Sequence, residues 1–103
     1  MTDRQALRKL IEAVEGGAAG PETFVGTIAW EYGYRAFHGS LDAAKALHEA
    51  LLPEDYIVSS DSTGFAHVWR DEFEVTNSWT ALIPGNEARA RLLAILLAYE
   101  AQQ

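Results

Sequence analysis

Three runs of strand-forming residues, Tyr56 to Ser60, Phe65 to Arg70 and Phe73 to Trp79, are separated only by Asp61-Ser62-Thr63-Gly64 and by Asp71-Glu72. A crossover between parallel strands needs about a dozen residues or more, so links this short leave an antiparallel meander as the arrangement open to these runs. Asp61 to Gly64 also has the composition of a hairpin turn, with a glycine to take the backbone conformation that other residues resist. Alternation along the second run sets Phe65, His67 and Trp69 on one face and Ala66, Val68 and Arg70 on the other. In the third run, Phe73, Val75, Asn77 and Trp79 alternate with Glu74, Thr76 and Ser78.

A sheet of three short strands needs a covering layer, and the remaining sequence supplies helices. Thr2-Asp3-Arg4-Gln5 fits a capping box, Leu7, Leu10, Ile11 and Val14 recur at helical spacing, and Gly16-Gly17 closes that helix. Pro21 suits the first turn of a second helix, whose core face is predicted to be Phe24, Val25, Ile28, Ala29 and Tyr32. Thr23, Thr27, Trp30 and Tyr34 fall on the opposite side, and Gly33 is expected to break the helix and leave residues 34–39 as a loop. Ser40 caps a third helix with Leu41, Ala44, Leu47, His48 and Leu51 as its buried stripe, and Pro53 stops it. Asn86 caps the last, in which Ala88, Leu92, Ile95, Leu96 and Tyr99, widened by Leu93 and Leu97, make the most buried helix of the set.

The order is therefore α-α-α-β-β-β-α, an α+β fold with a three-stranded antiparallel sheet and about four helices. Residues 1–36 read as a helical pair and 37–101 as a helix, three strands and helix core, within one domain spanning 1–103. Residues 41–80 carry two basic and eight acidic side chains, which is nearly all of the net charge of −7. That balance argues against direct binding of nucleic acid, because phosphate contacts come from Lys and Arg. No run reaches the roughly 20 apolar residues of a membrane span, so no membrane partner is expected. The N-terminus runs straight into an amphipathic helix without the layout of a secretion signal, which points to an intracellular protein.

Residues that could carry chemistry do not assemble into a recognised site. His38, His48 and His67 fall on a loop, a helix and a strand, none with a His or carboxylate at an i, i+4 spacing that would make a site by itself, and Ser59, Ser60 and Ser62 lack the glycine-flanked context of a nucleophile. The glycines between Gly16 and Gly20 follow no strand and precede no Lys-Ser or Lys-Thr, so no phosphate loop is read there. Neither a catalytic set, a metal site nor a cofactor fingerprint emerges, and the expectation is a non-enzyme without a cofactor. The acids Glu54, Asp55, Asp61, Asp71, Glu72 and Glu74 sit at strand ends and turns. They read either as a solvated rim or as a surface that mimics nucleic-acid phosphates and docks on a basic groove. Trp30, aimed away from the core stripe, and Tyr34 form a rival surface, since Trp and Tyr dominate binding hot spots; that face would suit a homodimer.

Ser40-Leu41-Asp42-Ala43-Ala44-Lys45-Ala46-Leu47, Leu52-Pro53-Glu54-Asp55-Tyr56, the strand ending at Trp69, and Ala88-Arg89-Ala90-Arg91-Leu92-Leu93-Ala94 together resemble the phage ABA sandwich domain family. The resemblance runs from Phe37 to Ala98, with Asp55 and Tyr56 where the pattern has Gly and Trp, and carries over no catalytic residue. It implies a small protein encoded by a bacteriophage or prophage and acting in the cytoplasm of the bacterial host. Joined to the acidic middle, it implies an anti-defence inhibitor of the anti-CRISPR kind that binds a host nucleic-acid-binding protein. The alternatives are a phage structural or assembly accessory forming a homo-oligomer, and a small ligand-binding domain or enzyme using His67 and Trp69.

Overall fold

The structure is a computed structural model that describes residues 3–17, 24, 30–72 and 75–102. Its elements are α1 (Asp3–Gly16), α2 (Trp30–Phe37), α3 (Leu41–Leu51), β1 (Ile57–Ser60), β2 (Phe65–Glu72), β3 (Val75–Leu82) and α4 (Glu87–Glu100). The fold is α+β with an open antiparallel sheet in the order β1-β2-β3, as the short connections require.

Helix α4 is the centre of the core. Asn86 caps it by accepting from the Arg89 amide at 3.1 Å, and Glu87 adds negative charge to the first turn. Ala88, Ala90, Leu92, Leu93, Ala94, Ile95, Leu96 and Ala98 are all buried, so the helix is apolar around most of its circumference. Such a helix has to be covered on more than one side. It lies across all three strands, and α1, α2 and α3 each pack against it. From the sheet, Ala66, Val68 and Ala81 face it and are buried. From the helices come Leu7, Leu10, Ile11 and Val14 of α1 and Ala43, Ala44, Leu47 and Leu51 of α3. Arg8 of α1 reaches the end of α4 and pairs with Glu100 at 2.8 Å.

Several local expectations are corrected. Helix α2 continues through Gly33 to Phe37; Gly33 is buried inside it, and tertiary packing outweighs the cost of about 1 kcal/mol of a helical glycine. The continuous helix also changes the aromatic faces. Tyr34 turns inward, with its ring 5.7 Å from Phe24 and 4.6 Å from His38. Tyr32, placed on the core face by the sequence, is 37% exposed, and Phe37, expected in a loop, is buried. Leu41, at the first position of α3, is 43% exposed because the buried stripe runs instead through Ala43, Ala44, Leu47 and Leu51. Asp71 and Glu72 belong to β2 rather than to a turn, and β3 continues past Trp79 to Leu82, because pairing of Phe65 with Leu82 fixes the register of both strands. The expectations for Thr2, Pro21, Val25, Ile28, Ala29 and Phe73 lie outside the described residues.

The turn from Asp61 to Gly64 requires its glycine twice over. Gly64 has φ +96°, and a Cβ there would stand 1.9 Å from the Ile83 carbonyl oxygen. The close approach exists because the Ile83 amide donates to the Gly64 carbonyl at 2.8 Å. Gly39 has a similar φ of +105° but open space around the missing Cβ. Gly64→Ala should therefore lower stability by about 3 kcal/mol or more and Gly39→Ala by about 1 kcal/mol, measured as midpoints of urea unfolding. Equal losses would mean that backbone conformation alone, without the contact to Ile83, sets the requirement.

Candidate functional site

The sheet register decides which acids share a surface. Ile57 pairs with Trp69, so the chain entering β1 lies beside the end of β2, and Glu72 pairs with Val75 at the start of β3. The backbone thus brings Glu54, Asp55, Asp71 and Glu72 to one end of the sheet, while Glu74 and the side chains of Trp30, Asp71 and Glu72 lie outside the described residues. Glu54 and Asp55 are exposed on the link between α3 and β1. Asp55 is not a free charge: its Oδ2 lies 2.9 Å from Arg70 Nε. The Arg70 guanidinium also donates to the Tyr56 hydroxyl at 3.3 Å and stands 5.3 Å from the centre of that ring. Tyr56 in turn stacks on Trp79 at 6.0 Å, which anchors the acidic end to the core side of the sheet.

Asp61 lies at the opposite end of the sheet and serves its own turn. It accepts from the Thr63 amide at 2.9 Å and from the Thr63 hydroxyl. The Thr63 hydroxyl first, then the Thr63 amide, hold its carboxyl below the ordinary value of 3.8 against the opposing effect of desolvation, with the Phe65 amide contributing least. The six acids of the sequence pattern are therefore not one rim. A depressed folded-state pKa contributes stability above pH 3.8 that is lost as pH falls through the folded value. In a carboxyl NMR titration Asp61 should titrate below 3.8, and Thr63→Ala should move it up toward that value. An unchanged titration in Thr63→Ala would assign the shift to another group.

Two further features were not legible as sites. Ser60 donates to Glu87 Oε2 at 2.6 Å and accepts from Arg91 Nε at 2.9 Å. Because these residues are 27 and 31 positions apart, no local pattern announces the cluster; it ties the end of β1 to the first turns of α4. The sheet face away from α4 is the other feature. There Ile57, Phe65 and Leu82 are 48%, 41% and 64% exposed, and His67 stacks on Trp69 at 4.7 Å. That stacking places His67 on an open face, as the alternation of β2 indicated, with Ser59 and Thr80 as its cross-strand neighbours.

His38 meets Tyr34 and Phe37 edge-on at 4.6 and 5.3 Å, and His48 is half-buried on α3. Among the described residues no group of three or more His, Asp or Glu could hold a metal ion, and no helix is long and apolar enough to cross a membrane. Compared with protein-family models, with curated proteins and with solved structures, the chain finds no match.

Proposed function

We propose that the protein is an acidic protein-binding module, of phage or prophage origin, that docks on the basic surface of a host nucleic-acid-binding protein. In its sharpest form it is an anti-defence inhibitor of the anti-CRISPR kind, acting in the bacterial cytoplasm and without chemistry of its own. The single observation that supports this reading is the register that brings Glu54, Asp55, Asp71 and Glu72 to one end of the sheet. Acidic residues gathered at one sheet end present a field that a groove built for phosphates would attract, and association of this type is steered by charge and weakened by salt. The phage origin rests on the resemblance of residues 37–98 alone.

The reading has a direct test. Protein immobilised in low-salt lysate of a bacterial host should retain a nucleic-acid-binding protein that duplex DNA or 0.5 M salt releases. Asp71→Lys/Glu72→Lys/Glu74→Lys should retain at least about tenfold less, each lost charge contact being worth of the order of 1 kcal/mol or less. Equal retention by that variant, or a retained protein that DNA does not displace, would overturn the acidic-mimic reading.

A further inference from the structure

The outer edge of β3 is a strand edge without the devices that normally block one. β3 pairs with β2 over eight consecutive residues without a bulge, and among the described residues nothing pairs with its other side. Val75-Thr76-Asn77-Ser78-Trp79-Thr80-Ala81-Leu82 contains no charged residue and no proline. Exposed edges are ordinarily protected by charge, proline, a bulge or brevity. β1, the opposite edge, is only four residues long. The difference lies between the two edges of one sheet.

The hydrogen-bond parity shows which groups of β3 are available. In an antiparallel ladder the bonds join directly opposite residues and alternate along each strand. The Ile83 amide bonds Gly64 and the Asp61 amide bonds Phe65. Continuing each ladder, β3 turns positions 75, 77, 79 and 81 toward β2 and presents the backbone groups of Thr76, Ser78, Thr80 and Leu82 outward. The same count along β2 sends alternate residues to β1 and β3, as a central strand requires.

We propose that β3 pairs with β3 of a second copy, antiparallel and about a two-fold axis at Trp79, to form a continuous six-stranded sheet. Charge selects this occupant and this direction. An isologous contact sets each residue against its own kind of surface, and a chain of net charge −7 can do so only where charge is absent, as it is along β3. Parallel pairing would bring the two acidic sheet ends together. Antiparallel pairing about Trp79 sets Val75 against position 83 of the other copy and separates those ends by about 27 Å at about 3.4 Å per residue. That is more than three times the screening length of about 8 Å at physiological salt. The register joins Thr76 to Leu82 and Ser78 to Thr80 in both directions, giving about eight backbone hydrogen bonds. It also sets the half-buried Trp79 beside its counterpart, a favourable cross-strand aromatic pair. Ile57, Phe65 and Leu82 stay on the open face, and both acidic ends stay free.

Sedimentation from about 1 to 300 μM should show a mass rising to twice that of the chain. Hydrogen exchange should show the amides of Ser78, Thr80 and Leu82 slowing at least tenfold with concentration, while those of Asn77, Trp79 and Ala81 are slow throughout. Thr80→Pro removes an outward donor and no bond to β2, and should be monomeric with an unchanged circular dichroism spectrum. Should that variant unfold, Ser78→Lys/Thr80→Lys keeps the backbone and places like charges opposite each other, and should also be monomeric. A wild-type chain that stays monomeric at 300 μM, captures only an extended segment of another protein, or dimerises without the alternating exchange pattern overturns the proposal. So does a folded variant that still dimerises. None of these outcomes depends on the acidic end, so the result is separable from the fate of the partner reading.

Discussion

Burial of α4 is the constraint on which the rest of the structure depends. A helix with Leu92, Leu93, Ile95, Leu96 and four buried alanines distributed around it cannot lie on a surface. One side is met by the inner face of the sheet, where Ala66 and Ala81 are small enough to let the helix approach and Val68 fills the middle. The remaining sides are met by α1, α2 and α3, each of which contributes a single apolar stripe. The polar contacts then hold the ends of α4: Asn86 and the Ser60–Glu87–Arg91 cluster at its start, and Arg8 with Glu100 at its finish. Removing Leu96, which is fully buried, would open the one core that the sheet and the helices share.

Covering one face of the sheet by α4 has consequences for the other boundaries. The short strands make a sheet with two edges and an open face, and the arrangement of polar residues treats these surfaces differently. Acids collect where the strands end, a position in which a carboxylate remains hydrated and costs the core little. The open face carries the His67–Trp69 stack with Ile57, Phe65 and Leu82 among hydroxyl side chains. β3 carries no charge at all.

Much of this was legible in the sequence, and what was not has physical causes. Short links between alternating runs sufficed for the meander, and the wheel positions of Leu7, Leu10, Ile11 and Val14 sufficed for α1, because both depend on local geometry. α2 was misread at Gly33, since helix propensity is a weak local cost that a buried environment overrides. The faces of Tyr32 and Tyr34 differ because the sequence phases one wheel on Phe24 to Tyr32, whereas the helix Trp30–Phe37 buries Ala36 and Phe37 and sets Tyr34 against Phe24. Asp71-Glu72 has turn-like polarity and reads as the second link, whereas β2 runs on through both residues because they pair with Thr76 and Val75. The split of the acids between two ends of the sheet depends on that same register. Asp61 and Asp55 are alike in sequence, but one is bound to Thr63 within its turn and the other to Arg70 across strands.

The separation of charge from β3 bears on how one small sheet could present two surfaces without conflict. Like charges placed along an edge oppose strand addition, and they do so most strongly when the added strand is an identical copy. Moving the acids to the strand ends leaves the edge neutral, and the antiparallel two-fold then carries the acidic ends apart rather than together. The direction of pairing is thus coupled to the position of the acids: an arrangement that gathered the two acidic ends would have to overcome their repulsion at close range, whereas the antiparallel one places them beyond the reach of screened electrostatics. Two copies joined this way would hold their acidic ends facing outward at fixed separation. A partner with two basic sites at that spacing would then meet both at once, with the second contact made at an effective concentration set by the rigid sheet rather than by diffusion.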